Sequence, residues 1–325
     1  MLREGVINLV KPAGMTSHNA VSMLRKVAGM KRIGHTGTLD PMAAGVLPLC
    51  MGSAARITEY LDLDEKQYRC EMLLGVATDT LDIWGAPVFC HRERVKALAE
   101  SDVLEAFKPL RGNVMQLPPK YSALKVDGKR LYEYARKGQE VEIKKRPASI
   151  SFLEIVDMDL KRGRITFDAT CSKGTYIRSI CRDVGEALGC GGVMSFLLRR
   201  SSGCFTLENG VTIEQLKENP QSLEQCCIPT GQALSHLGRL DLRRGRGRWF
   251  SNGGYLVPED GAVTELPFSR RRQDCPADFS QRLRHLGIRE SLLQAYRVYE
   301  DGVFLGVAVY QEEEKKYICD KVFGK

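Results

Sequence analysis

One loop of the sequence brings together residues that could carry out acid–base or covalent chemistry. Asp40 stands directly before Pro41, and His35 precedes it by five residues in a stretch interrupted by glycines. Proline biases the residue before it toward an extended backbone, and glycines allow a ligand to approach a loop closely. A carboxylate held in this way can act on a substrate, and a nearby histidine suggests general acid–base catalysis. Taken alone, the loop is more ordinarily explained by an aspartate that caps a helix starting near Met42.

The longer string around Asp40 changes this interpretation. Residues 34–48, GHTGTLDPMAAGVLP, resemble the signature loop of the TruB family of tRNA pseudouridine synthases. Further segments resemble other motifs of the same family, in the same order, and the resemblance covers roughly residues 5–235. The segments are 11–17 (KPAGMTS), 66–68 (KQY), 74–75 (LG), 78–82 (TDTLD), 118–125 (PPKYSALK), 171–178 (CSKGTYIR), 198–200 (LRR) and Gly203.

The resemblance implies a role for each matching residue in the site. It makes Asp40 the catalytic carboxylate and Arg178 its partner, because a guanidinium can hold a carboxylate through two hydrogen bonds that lysine does not reproduce. Tyr68 matches the aromatic residue that stacks on the target base, and Tyr176 matches a residue that contacts the same base. Leu198 matches the apolar wall over the base. Core packing is the alternative for Tyr68 and Leu198.

Three further residues are implied to contact the RNA. The histidine that matches His35 wedges into the RNA in the place of extruded bases, and we favour this role over proton transfer or a purely structural one. Lys11 and Lys173 are expected to contact phosphates. The same contact is expected of Lys125, Arg199 and Arg200.

The reaction that the resemblance implies is the conversion of uridine to pseudouridine at position 55, in the T-loop of tRNA. It breaks the bond from ribose C1′ to N1 of uracil and rebuilds it to C5, so it needs no redox cofactor and no metal. A single carboxylate can serve, by attack on the base, by attack on the sugar or through an elimination route. The substrate must be rotated out of its stem-loop to be reached. We expect the protein to act on tRNA as a monomer, without a protein partner.

Three other functions remain open at this point. The basic clusters and the C-terminal domain would equally serve an RNA-binding or RNA-folding protein whose catalysis is incidental. A guide-RNA-dependent relative of the same superfamily would need partner proteins. A base-excising glycosidase would release free uracil, but such enzymes usually use two carboxylates, and only one acid stands in the signature loop.

The pattern of elements predicts an α+β fold with a mixed, largely antiparallel sheet and flanking helices. Alternation and helical periodicity predict a strand at 6–10, a helix from 17 to about 28, an irregular loop at 31–45, a strand at 67–76, paired strands at 150–159 and 164–171, and a helix at 176–188. The composition changes near residue 238, where arginine-rich segments begin. We therefore divide the chain into a catalytic domain, 1–238, and a small β-rich domain, 239–325, in which residues 304–308 resemble a PUA-like RNA-binding domain. Asp301-Gly302 predicts a hairpin there.

Composition sets the remaining limits. The chain has 325 residues and a net charge of +8, which suits a nucleic-acid partner. No apolar run approaches the ~20 residues of a membrane span, and a signal peptide is absent, so we expect a cytoplasmic location. The eleven cysteines have irregular spacing and are interpreted mostly as small buried apolar residues. Two arginine clusters, at 239–248 and 270–272, could contact phosphates. Trp84 stands at a position that is usually more polar in the family, and the segment 267–286 elaborates the C-terminal part.

Overall fold

The fold is described from a computed structural model, which covers residues 4–61, 65–267, 285–286 and 293–323. The expectation for 270–272, and nearly all of that for 267–286, lies outside these residues. The strands are β1 (Gly5–Lys11), β2 (Ile33–His35), β3 (Ala44–Met51), β4 (Lys66–Leu74), β5 (Val76–Thr78), β6 (Pro87–Cys90), β7 (Gly112–Gln116), β8 (Lys125–Val126), β9 (Lys129–Arg130), β10 (Arg146–Asp159), β11 (Arg164–Cys171), β12 (Gly192–Ser202), β13 (Phe205–Thr206), β14 (Val211–Thr212), β15 (Cys227–Ile228), β16 (Gly238–Leu242), β17 (Gly261–Glu265), β18 (Ala295–Glu300), β19 (Val303–Gln311) and β20 (Lys316–Val322).

Helices flank the sheets, and the first of them has ordinary capping signals at both ends. The first helix starts after Thr16, whose side chain accepts a hydrogen bond from the Asn19 amide, and it ends at Gly29 with a φ of 60°. The helices are α1 (Ser17–Ala28), α2 (Thr58–Leu61), α3 (Arg92–Val95), α4 (Glu100–Phe107), α5 (Leu131–Arg136), α6 (Ile177–Ala187), α7 (Ile213–Glu218), α8 (Leu223–Cys226), α9 (Thr230–Ala233) and α10 (Gly247–Ser251), with 3₁₀ turns at Gly52–Ile57, Lys108–Leu110, Pro220–Ser222 and Pro258–Asp260.

The main sheet is mixed and largely antiparallel, which confirms the predicted α+β class. Its central path runs β14-β1-β3-β12-β4-β11-β10-β7, and only the pairs β1–β14 and β3–β12 along it are parallel. Alternation along β4 buries every second side chain from Lys66 to Leu74, as expected for a strand with one face on the core. The predicted loop at 31–45 is partly wrong, because Ile33–His35 pairs with β3 as a short strand and β3 begins at Ala44.

This topology brings the ends of four strands, β3, β4, β11 and β12, to one place. The last residues of β12 pair with the first residues of β4, and Cys171 at the end of β11 pairs with Lys66 at the start of β4. The start of β3 lies beside the end of β12, where Ala44 is opposite Leu198. The loop that carries Asp40, the start of β4 and the loop before α6 therefore meet at one end of the sheet.

A second sheet, in the order β17-β16-β18-β19-β20, begins at Gly238. The predicted hairpin at Asp301-Gly302 joins β18 and β19, and both turn residues have positive φ. The second sheet packs on the catalytic part through a buried apolar cluster. This cluster includes Val46 of β3 and Ile57 of the following 3₁₀ turn, together with Val307 of β19 and Phe323 just after β20. The division into 1–238 and 239–325 stays a prediction, and the two parts share a buried core.

Polar contacts continue this packing at its edge. The Tyr60 hydroxyl donates a hydrogen bond to Asp320, and Lys321 pairs with Glu59 at 2.9 Å. In the predicted arginine cluster of this sheet, Arg239 pairs with Asp241 and Arg246 with Asp260. Part of the cluster therefore serves internal ion pairs, and phosphate contact stays a prediction for the exposed Arg243, Arg244 and Arg248.

Candidate active site

The loop between β2 and β3 presents Asp40 from a fixed backbone. The Ser17 hydroxyl, at the start of α1, accepts a hydrogen bond from the Leu39 amide and donates one to the Leu39 carbonyl, both at 2.9 Å. After Asp40, the Ala43 amide donates to the Asp40 carbonyl at 3.1 Å and closes a turn. The next element is the strand β3, so Asp40 caps no helix. Its side chain is 33% exposed and available for chemistry.

Arg178 grips the Asp40 carboxylate through two contacts. Its Nε lies 2.8 Å from Oδ2, and its Nη2 lies 3.1 Å from Oδ1. The arginine side chain is only 6% exposed, which places the contact where solvent screens it weakly. The ion pair expected from the sequence is therefore present in the structure, with the bidentate geometry that a guanidinium allows.

Two backbone carbonyls fix the guanidinium on its other edges. Arg178 Nη1 donates to the Thr80 carbonyl at 2.8 Å, and Nη2 also donates to the Tyr121 carbonyl at 3.0 Å. Thr80 belongs to the TDTLD segment, in which Leu81 adopts a left-handed backbone with a φ of 64°. Asp79 and Asp82 of this segment bond their own loop, through the Ala86 amide and the Thr80 hydroxyl. This segment thus positions Arg178, which positions Asp40.

Lys11 has a different place from the one expected. It is fully buried, and its ammonium donates to the carbonyls of Pro12 at 2.8 Å, Met15 at 2.7 Å and Pro41 at 3.1 Å. Burial lowers the pKa of Lys11 to about 8, although the negative charge of Asp40 acts in the opposite direction. Three carbonyls take up the ammonium in the structure, and the phosphate contact expected of Lys11 stays a prediction. Lys11 ties the turn after β1 to the residue that follows Asp40.

An inner cavity of about 450 Å³ opens beside the carboxylate. Asp40 and Arg178 form one wall, Tyr68 lies on β4, and Tyr176 stands at the start of α6. Lys173 lines the cavity from the exposed turn between β11 and α6. The structure therefore places these five sequence-predicted residues around one space.

Tyr68 is buried between two strands, and Arg199 is its cross-strand neighbour on β12. Burial raises the pKa of Tyr68, and the positive charge of Arg199 opposes the shift. Arg199 is itself fully buried, with Nε donating to the Val46 carbonyl at 2.6 Å. Arg199 therefore lines the cavity from inside the sheet, and the phosphate contact expected of it stays a prediction.

The apolar wall of the cavity is Leu197 rather than Leu198. Leu197 and Arg199 line the cavity, and successive side chains of a strand point to opposite faces. Leu198 is half-buried on the other face of β12, like the exposed Arg200, which pairs with Asp168 at 3.1 Å. Leu198 does not line this cavity, and its role as the apolar wall over the base stays a prediction.

Gln116 is a buried residue of the site that sequence reasoning missed. Its side-chain oxygen accepts from the Tyr176 amide at 2.8 Å, and its Nε2 donates to the Tyr176 carbonyl at 3.0 Å. This clamp fixes the backbone of Tyr176 at the first turn of α6. A polar residue just before 117–119 (LPP) is the only trace of it in the sequence.

An outer cavity of about 540 Å³ adjoins the inner one, and Asp40 and Arg178 line both. His35 lines the outer cavity, at the end of β2, and His18 lines it from the start of α1. His35 thus lines the outer cavity, which shares Asp40 with the inner one, and does not line the inner cavity. Among the residues that the structure covers, no group of three or more histidine, cysteine or acidic side chains could hold a metal ion.

Comparison with known proteins decides the family. The N-terminal domain of TruB family pseudouridylate synthases matches residues 25–177, and the C-terminal domain of tRNA pseudouridylate synthase B matches residues 178–235. A tRNA pseudouridine synthase B from Clostridium perfringens (strain 13 / Type A) is 38% identical over 320 residues, 98% of each chain. This chain belongs to the tRNA pseudouridine synthase B family. The homologue from Alkaliphilus oremlandii is 44% identical over 253 residues, 78% of this chain and 83% of its own.

Solved structures share the fold across nearly the whole chain. A chain in an H/ACA ribonucleoprotein bound to a substrate RNA containing 2′-deoxyuridine superposes with a TM-score of 0.69 and 22% identity, covering 99% of this chain and 85% of that chain. A chain in a Cbf5–Nop10–Gar1 complex gives 0.70 and 24%, with 99% and 84% covered. Within the described parts of this family member, no helix has the length and apolarity that crossing a membrane requires.

Proposed function

We propose that this protein isomerises a uridine in tRNA to pseudouridine, at position 55 of the T-loop, with Asp40 as the catalytic carboxylate. One observation carries the assignment to Asp40: a partly exposed carboxylate, held by two contacts to a buried guanidinium, faces a cavity lined by two tyrosines. Binding alone does not require such an acid. Membership in the family supplies the reaction class.

The chemistry places modest demands on the site. The C1′–N1 bond breaks, the uracil turns within the site, and C1′ bonds to C5; the proton leaves C5 and N1 gains one. Atoms and electrons balance without an oxidant or a reductant. The Asp40 carboxylate can serve by adding to the base, by attacking C1′ or by taking a proton in an elimination, and its fixed position suits each route.

Base flipping explains the two adjoining cavities. A uridine inside a stem-loop must leave the stack before its glycosidic bond can be reached. The inner cavity receives the base between Tyr68 and Tyr176, with Leu197 in place of Leu198 as the apolar wall. Lys173 at the rim contacts a phosphate. His35 fills the space in the RNA that the uridine vacates.

The partner proposed for this site is a tRNA T stem-loop, bound by a single protein chain in the cytoplasm. The charge of +8 supports an RNA partner. One fold neighbour is a chain of an H/ACA ribonucleoprotein bound to a substrate RNA, and another is a chain of a Cbf5–Nop10–Gar1 complex. Conversion of a bare T stem-loop by the purified protein, at a rate independent of any added protein, supports action alone. A requirement for a guide RNA or second protein contradicts it.

The direct test is pseudouridine mapping of tRNA from a strain that lacks the protein. We expect the T-loop modification to disappear, to return with the wild-type gene and to stay absent with Asp40→Asn. Unchanged modification in the deletion strain contradicts the proposed function. Release of free uracil by the purified enzyme indicates a glycosidase instead, because isomerisation releases no base.

A further inference from the structure

Trp84 is an exposed aromatic side chain that the proposed reaction does not yet use. It lines the outer cavity together with Asp40 and Arg178, and 45% of its surface is exposed. A tryptophan of a folded protein usually buries most of its large apolar surface, so an indole that faces an open cavity indicates a contact made only with a partner.

The loop that carries Trp84 is held in place by many bonds. The Asp82 carboxylate accepts from the Thr80 hydroxyl at 2.7 Å and from the Trp84 amide at 3.2 Å. On β12, the Met194 carbonyl accepts a hydrogen bond from the Ile83 amide at 2.9 Å, and the Met194 amide donates one to the Leu81 carbonyl at 3.0 Å. The indole is therefore exposed on a rigid support, which reduces the entropy lost on binding.

The same loop touches the catalytic pair. Thr80, four residues before Trp84, provides the carbonyl that accepts from Arg178 Nη1 at 2.8 Å. The position of Trp84 relative to Asp40 is thus set by a short chain of hydrogen bonds. A group that stacks on Trp84 is placed with respect to the carboxylate as well.

Cationic and aromatic side chains also line the outer cavity. Arg130 and Arg136 line it, and their guanidinium carbons lie 5.8 Å and 5.3 Å from the centre of the Tyr132 ring. Arginine with aromatic side chains is the combination that binds nucleotides, through phosphate contacts and base stacking. Of the acids in this cavity, Asp40 is paired with Arg178 and Asp82 bonds its own loop.

We propose that Trp84 stacks on a nucleotide that flanks the target uridine in the bound T-loop, with Arg130 and Arg136 contacting the phosphates. The inference rests on the proposed function, since it takes the inner cavity as the place of the flipped uridine. The outer cavity, which shares the catalytic pair, then holds the RNA immediately next to that uridine. Trp84 is a positioning residue for the substrate.

Fluorescence gives a direct test, because the chain contains two tryptophans. Trp249 lies on α10, beside the second sheet, and its Nε1 donates to the Tyr255 carbonyl. In a Trp249→Phe background, emission comes from Trp84 alone. We expect a T stem-loop to quench this emission on binding to the Trp249→Phe, Asp40→Asn protein, which holds the RNA without converting it. The matched protein with Trp84→Phe and native Trp249 should respond much less.

Kinetics give the second readout. Stacking on one base contributes enough free energy that Trp84→Ala should raise KM for the stem-loop by about 5- to 150-fold. We expect Trp84→Phe to have a KM close to that of wild type, because phenylalanine can still stack, and Trp249→Phe to keep the wild-type KM. A thermal unfolding midpoint within a few degrees of wild type for Trp84→Ala excludes misfolding as the cause.

Two results separate failure of this inference from failure of the proposed function. The stacking role alone is overturned if the wild type converts the stem-loop normally, the Trp84 emission does not change on adding RNA, and Trp84→Ala has the wild-type KM. Absence of pseudouridine from a wild-type reaction overturns the proposed function. An equal rise in KM for Trp84→Ala and Trp84→Phe also contradicts stacking.

Discussion

Replacing Arg178 with lysine tests how strongly the catalytic carboxylate depends on its partner. The guanidinium makes two contacts with Asp40 and one with each carbonyl of Thr80 and Tyr121, while its side chain is 6% exposed. Lysine keeps the positive charge but has one nitrogen instead of three. It cannot reach both carboxylate oxygens in the plane of the fork and both carbonyls together.

The magnitude follows from the bonds that are lost. Loss of one charge-assisted hydrogen bond to Asp40 costs about 1.5–3 kcal/mol, which corresponds to roughly a 10- to 150-fold slower reaction if it is made in the transition state. One buried carbonyl left without a donor costs about 1–3 kcal/mol of the free energy of unfolding. Arg178→Lys should therefore fold, with reduced stability, and react slowly.

The assay is single-turnover conversion of a T stem-loop, with stability measured by denaturant unfolding. Arg182→Lys is the matched control, because Arg182 lies one turn further along α6, bonds the Leu117 carbonyl and Asp183, and does not line the cavity. We expect Arg182→Lys to react within about threefold of wild type, which is under 1 kcal/mol. Arg178→Lys at the wild-type rate would refute the role given to this ion pair.

Three further outcomes are expected. Burial lowers the pKa of Lys11 from 10.5 to about 8, so its contribution to stability is fully present above pH 10.5 and is lost as the pH falls through 8. The free energy of unfolding of wild type minus that of Lys11→Met should therefore rise between pH 8 and 10.5, by at most about 1.4 kcal/mol per pH unit. A difference that does not change with pH refutes this. Gln116→Leu removes both bonds to the Tyr176 backbone and should slow turnover about tenfold, and an unchanged rate contradicts the clamp. Truncation at residue 238 exposes the cluster containing Val46 and Ile57, so we expect a lower unfolding midpoint rather than weaker binding alone, and an unchanged midpoint argues against the shared core.

Much of the fold could be predicted from local pattern. The alternation of β4 and the Thr16 and Gly29 caps of α1 are local signals, and the structure follows them. The short strand Ile33–His35 has no local signal, because its existence depends on pairing with β3. The shared core of the two sheets was also outside local reasoning, since it joins residues such as Val46 and Phe323 that are far apart in sequence.

Some features of the candidate site could likewise be predicted from the sequence, and others could not. The Asp40–Arg178 pair joins residues 138 positions apart, so motif resemblance, not spacing, indicated it. Leu198 was assigned by motif resemblance, and the sequence alone does not show that its neighbours Leu197 and Arg199 are the β12 residues that line the cavity. Lys11 was expected to contact a phosphate, since a sequence does not show that carbonyls will surround an ammonium. The assignments of catalytic and binding roles stay predictions.

The most direct measurement compares Asp40→Asn with wild type on one T stem-loop. Asparagine keeps the size of the side chain and one oxygen for Arg178, but it removes the carboxylate. We predict no pseudouridine from Asp40→Asn over many wild-type half-lives, while the Kd for the stem-loop stays within about fivefold, under 1 kcal/mol of binding free energy. A comparable yield of pseudouridine from Asp40→Asn would contradict the central role of this carboxylate.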